Sequence, residues 1–212
     1  MRISLFIFFS FIAVSSLFFA EWVRAEVPAN MKTDKLAAWC IVPFDAKKRG
    51  PEARAKMLAR FGIKRCAYDW RGEHVKEFEE EIIQYKKHGI ELFAFWAGHE
   101  EAYRLFQKYD IHPQVWRTLG SPTEGSYKEM VSAAADSVSE LAKRLDQIGC
   151  ELGLYNHGGW GGEPKNLVAV CEELHERGYK NVGIVYNWHH GHGHIGDWNE
   201  SLQLMKPHLL CL

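Results

Sequence analysis

Residues 152–187 read LGLYNHGGWGGEPKNLVAVCEELHERGYKNVGIVYN. Leu152–Asn156 is a short apolar run. A glycine-rich link follows, and Pro164–Arg177 is an amphipathic run. Pro164 suits a first helical turn, and Gly178 stands just past the last one. Val182–Asn187 is a second apolar run. Strand, helix, strand at this spacing means two parallel strands joined by a right-handed crossover.

The same unit recurs back to residue 35. Apolar runs at Leu36–Phe44, Arg65–Tyr68, Glu91–Trp96 and Gln114–Leu119 alternate with helical patterns at Pro51–Phe61, Val75–His88, Glu100–Tyr109 and Tyr127–Ile148. Val75, Phe78, Ile82 and Tyr85 show the helical spacing, and Gly89 stops that helix. Beyond Asn187 a helix is expected over Asp197–Met205. Leu209–Leu212 opens a further strand. Repeated strand–helix units leave a doubly wound sheet or a barrel. No GxGxxG and no P-loop follows the first strand, which weakens the nucleotide-binding sheet. The expectation is an α/β fold, a (β/α)8 TIM-type barrel over residues 35–212. It is incomplete, with about six βα units and the start of a seventh strand. Eight strands close such a barrel. Ending on Leu209-Leu210-Cys211-Leu212 would leave an apolar edge open to association into oligomers. Either the frame is truncated or the last strands come from elsewhere.

Residues 1–25 do not fit that domain. Arg2 precedes the apolar stretch Ile3–Ala20, and Val23-Arg24-Ala25 reads as a cleavage site before Glu26. The expectation is a signal peptide, a short linker over 26–34, and a secreted or periplasmic product with no membrane contact after cleavage. An uncleaved anchor is the alternative. Without Arg2, Arg24 and Glu21, the 26 basic and 27 acidic residues become 24 and 26, a balance of −2. That balance offers no general field for nucleic acid. The five cysteines include no CxxC. They read as buried free thiols, with one disulfide left open.

In a parallel barrel, functional groups sit just beyond the C-terminal strand ends. Five of the 11 histidines fall there: His157 after the fifth strand, then His189, His190, His192 and His194 after the sixth. Imidazoles at one rim can bind a divalent metal (Mn, Zn or Fe) or shuttle protons. His157, His190 and His192 are the candidate ligands. His157, His190 and Asp69 are the candidate acid–base groups. Asn156, Asn187, Arg71, Trp96 and Trp160 are candidate contacts for a sugar, whose apolar faces suit aromatic rings. Core packing competes for each tryptophan. The glycine run at 158–162 offers backbone N–H groups to a ligand, or is simply a loop. Glu79, Glu80 and Glu81 read as a solvated helix face.

Leu154-Tyr155-Asn156-His157 with its glycine loop, and Gly183-Ile184-Val185-Tyr186-Asn187 followed by His190, resemble strand ends of the xylose-isomerase-like barrels. That superfamily includes sugar and sugar-phosphate isomerases and epimerases, and a branch of apurinic-site endonucleases. The resemblance implies a divalent metal held by carboxylates, and proton transfer between adjacent sugar carbons. The strand-five Glu of relatives falls here on Tyr155, and the strand-six Asp on Asn187. His190 matches a substrate-contacting histidine. The resemblance, with the N-terminal segment read as a signal peptide, implies an exported sugar or sugar-phosphate isomerase or epimerase in which both observable acidic ligands are replaced by neutral residues. Two alternatives are a non-catalytic carbohydrate-binding barrel and, disfavoured by export and charge, an apurinic-site endonuclease.

Overall fold

The structure is a computed structural model that describes residues 27–212. The segment read as a signal peptide and its cleavage point lie outside the described residues. No helix among the described residues is long and apolar enough to cross a membrane.

Seven strands form one sheet: β1 (Ala37–Trp39), β2 (Arg65–Tyr68), β3 (Glu91–Trp96), β4 (Gln114–Thr118), β5 (Leu152–Tyr155), β6 (Val182–Val185) and β7 (Leu209–Cys211). Every pairing is parallel and each strand lies beside the next in sequence. Six helices fill the crossovers: α1 (Pro51–Arg60), α2 (Phe78–His88), α3 (Glu100–Tyr109), α4 (Tyr127–Asp146), α5 (Pro164–Glu176) and α6 (Trp198–Met205). The curled sheet is a TIM barrel left incomplete, open between β1 and β7.

Local chemistry fixes the helix ends. Ser126 caps α4 in a capping box, its backbone N–H donating to Glu129 Oε2 at 2.7 Å. Gly89 ends α2 in the left-handed conformation. Pro51 and Pro164 each open a first turn. The first turn expected for α2 is instead a 3-10 segment, Gly72–Glu77.

The core has two parts. Residues from strands and helices together form the larger cluster, between the sheet and its helical jacket. The smaller cluster draws its residues from the strands alone: Ala67, Phe93, Ala94, Trp116, Tyr155 and Val185, with Trp39, Trp96, Leu210 and Cys211 against them. It fills the inside of the curl. Room for it is made at Gly153, where a Cβ would come within 2.6 Å of Val185 and 2.8 Å of Trp116.

One expectation is corrected. Glu81 does not lie on a solvated face. It is buried on α2 and pairs with the buried Arg54 of α1, whose Nε donates to Glu81 Oε1 at 2.7 Å. Arg54 Nη2 also contacts Glu77 at 3.4 Å, and its Nη1 bonds the Arg49 carbonyl. A charge run cannot reveal which of its members meets a cation across a helix interface. Burial pushes the Glu81 carboxyl upward even with the guanidinium beside it. All five cysteines are free; Cys66, Cys150 and Cys171 are buried, whereas Cys40 and Cys211 are only partly so.

Removing one partner of a buried pair strands the other charge, at a cost of about 3–5 kcal/mol. Glu81→Gln should lower the urea midpoint accordingly. Glu52→Gln, which breaks an exposed Lys56 pair at 2.8 Å, should shift it far less. Equal shifts in the two variants would refute the burial assignment.

Candidate functional site

A cleft of about 770 Å³ opens over the C-terminal strand ends. Each strand from β1 to β6 contributes to its wall. Trp39 and Cys40 come from the end of β1, and Asp69, Trp70 and Arg71 follow β2. Trp96 and Ala97 end β3, and Thr118 ends β4. Tyr155 and His157 come from β5, and Asn187, His189 and His190 from beyond β6. Consecutive parallel strands bring these residues to one rim.

The floor is aromatic. All six pairings among Trp39, Trp96, Trp116 and Tyr155 have ring centroids 4.4–6.3 Å apart. Trp96 against Tyr155 is the tightest, edge to face at 4.4 Å. Each such pair adds about 0.5–1.5 kcal/mol beyond the area buried. Three buried polar atoms on this wall lack hydrogen-bond partners: Trp39 Nε1, Trp96 Nε1 and Asp69 Oδ1. Burial raises the Asp69 carboxyl, opposed by the nearby Arg71. Burial also pushes the Cys40 thiol up to about 12, with Asp69 adding to the effect.

Two asparagines lock the ends of β5 and β6 together. Asn156 is fully buried. Its Oδ1 accepts from the Asn187 N–H at 2.6 Å, and its Nδ2 donates to the Asn187 carbonyl at 3.1 Å. The Asn187 side chain is itself engaged, donating to the Tyr155 hydroxyl at 2.7 Å and accepting from the His189 N–H at 2.9 Å. Asn156 therefore holds backbone, while Asn187 and Tyr155 face the cleft. Burial holds the Tyr155 phenol up at about 12, so it remains neutral near pH 7.

The loops that leave this lock bring His157 and His190 together, their rings tilted at 49° with centroids 4.4 Å apart. His190 also lies 5.7 Å from the Tyr155 ring and 5.1 Å from His189. Its pKa is lowered, first by burial and then by His157, His189 and His192. His192 is exposed and packs on His189 at 5.9 Å, outside the cleft wall. Trp160 is also off that wall, half-buried against the core with its ring 6.2 Å from Tyr127. Arg71 lines the cleft, its guanidinium 5.9 Å from the Phe44 ring.

The glycine loop packs against another loop. Gly161 N–H donates to Ser121 Oγ at 3.0 Å, and a Cβ on Gly161 would come within 2.4 Å of the Leu119 carbonyl. Farther out, His194 bridges the two histidine-bearing loops. It lies 3.0 Å from Glu163 and 3.1 Å from Asp197.

Sequence reading did not single out Cys40, Thr118 or Ala97 for the cleft. Their positions just beyond strand ends are the one signal that points to them.

Similar solved structures share this architecture. A 3-keto-D-glucoside 4-epimerase from E. coli superposes with a TM-score of 0.64 at 12% identity, over 82% of this chain and 75% of its own. A D-psicose 3-epimerase solved in the presence of D-fructose gives 0.60 at 13% identity, over 82% and 71%. A xylose isomerase-like TIM barrel protein from Mycobacterium smegmatis, in complex with magnesium, gives 0.52 at 12%, over 77% and 66%. This chain shares the TIM-barrel fold of these structures. No protein-family model and no curated protein matches the sequence.

Metal-binding proteins occur among the structures with this fold. The carboxylate positions implied by the resemblance do not fit a metal here. Tyr155 and Asn187 are neutral and hydrogen-bonded to each other. Among the described residues, three potential ligand atoms come together at Cys171, His175 and His208, and not at His157, His190 and His192.

The two half-buried loop histidines titrate in opposite directions. Hydrogen bonding to Asp197 raises His194, aided by Glu163, whereas His190 is lowered. The ordinary value is about 6.5. The His190 contribution to stability is full above that value and fades as pH falls through the lowered folded value. The His194 contribution is full below it and fades as pH rises through the raised one. Proton NMR of the imidazole rings should place His194 above and His190 below the ordinary value. Asp197→Asn should bring His194 down. The reverse order would refute this packing.

Proposed function

We propose that this chain is an exported sugar or sugar-phosphate isomerase or epimerase in which the His157–His190 pair moves the proton. The observation that carries this reading is the pair itself, 4.4 Å apart at the mouth of an aromatic-floored cleft. The wall supplies what a sugar ring needs. Trp39 and Trp96 offer faces to its C–H surface, and Arg71 and the histidine rings offer polar groups for its hydroxyls.

His190, held neutral, accepts the proton from the carbon beside the sugar carbonyl. The electron pair enters an enediolate, whose charge Arg71 offsets. The proton then returns to the adjacent carbon or the opposite face, by way of His157. Sugar epimerases among the structures of similar fold favour this chemistry. A second reading, carbohydrate binding without turnover, draws on the Tyr155–Asn187 bond that stands at the implied carboxylate positions.

The test incubates the purified chain with hexoses, ketohexoses and their phosphates in D2O. Proton NMR follows deuterium entry beside the carbonyl, and elemental analysis of the same sample gives its metal content. Tryptophan fluorescence reports sugar binding. Exchange should fall by about 100-fold or more in His157→Ala/His190→Ala, with binding largely kept. Sugar binding without exchange in the unaltered chain would overturn the proton-transfer reading and install the binding one.

A further inference from the structure

A cluster of metal-ligating side chains lies apart from the cleft. Cys171 and His175 are four residues apart on α5, so they share one helix face. His208 ends the short 3-10 turn, Lys206–His208, that leads into β7. One ligand atom from each lies within 4.8 Å of the others. Cys171 is fully buried, and both histidines are half-buried.

The spacing matches tetrahedral coordination. Cys171 Sγ and His175 Nε2 are 3.6 Å apart. With Zn–S about 2.3 Å and Zn–N about 2.0–2.1 Å, tetrahedral ligands stand roughly 3.5 Å apart for S and N. The two α5 groups already satisfy that. His208 reaches the same point by moving in about an ångström, since two zinc-bound nitrogens stand roughly 3.4 Å apart. The Val182 carbonyl oxygen faces the same spot, 2.7 Å from His175 Nε2 and 3.5 Å from Cys171 Sγ. Glu172 Oε1 stands 3.6 Å from His208 Nε2.

We propose that Cys171, His175 and His208 bind a zinc ion, with the Val182 carbonyl or a water in the fourth position. A thiolate with two imidazoles selects a borderline-soft ion over magnesium or calcium. The place in the fold suits a structural role. Val182 begins β6, whereas the cleft opens beyond Val185 at its other end. The ion would tie α5 to the lead-in of β7, a strand paired on one side only. In the metal-free arrangement, His175 and the Cys171 thiol both donate to the Val182 carbonyl.

The test titrates the full chain, stripped by chelator, with Zn2+ and separately with Co2+. Expected are one ion per chain, a thiolate-to-cobalt charge-transfer band and a higher melting temperature with zinc. Cys171→Ser should abolish the band. His208→Gln, a milder change, should weaken zinc binding by about 100-fold. His157→Ala/His190→Ala should leave the band unchanged, which separates this site from the cleft. Absence of the band in a chain shown folded by circular dichroism, or its survival in Cys171→Ser, would overturn the proposal.

Discussion

Packing inside the curl is the constraint on which the rest of this molecule depends. A closed barrel holds its curvature by hydrogen bonding all the way round. Among the described residues the sheet runs from β1 to β7 without pairing of its two edges, and packing from within supports its curvature. Trp39, Trp96, Trp116 and Tyr155 reach inward from four strands and meet as one cluster. Gly153 leaves the space in which Trp116 lies. Enlarging Gly153 would set a side chain against Trp116 and Val185 and open the curl. The curl, in turn, brings the ends of β1 and β2 within reach of the loops after β5 and β6, and so creates the cleft.

The same packing decides which chemistry the cleft can do. Tyr155 belongs to the aromatic cluster and to the rim at once. Its ring packs against Trp96, and its hydroxyl accepts from Asn187. A carboxylate at position 155 would put a charge among three tryptophan rings unless a cation came with it. The neutral pair needs no such partner. His157, His190 and Arg71 stand on the loops at the mouth of the cleft, and Asp69 is buried in its wall. Under the proposed function, acid–base chemistry falls to loops rather than to strand-end carboxylates.

Strand and helix positions were legible because each unit carries its own punctuation: Pro51 and Pro164 at helix starts, Gly89 and Gly178 at helix ends, apolar runs between. Parallel pairing follows from that alternation, and the rim follows from the pairing. Side-chain partners across the structure were not legible. Glu81 looks like its neighbours Glu79 and Glu80 in sequence, but it faces Arg54 on another helix. The glycines at 158–162 suggest a ligand cradle, while Gly161 is pressed against the Leu119 carbonyl. Cys171 and His175 do carry a local signal, the i, i+4 spacing on one helix. His208 joins them only through the fold.

Asn156 explains why two histidines distant in sequence meet at all. The bonds that tie β5 to β6 run from strand to strand, but the loops beyond them have no ladder to hold them. Asn156 extends the ladder by one rung, giving and accepting one hydrogen bond with the Asn187 backbone. Both loops therefore leave the sheet from a fixed origin, and His157 and His190 stand one and three residues from the lock. His194, placed between Glu163 and Asp197, joins the same loops at their outer ends. The histidine pair is thus held from below by a buried amide and from outside by a charged bridge. Neither support uses the imidazole nitrogens of His157 or His190, which leaves those nitrogens for a ligand.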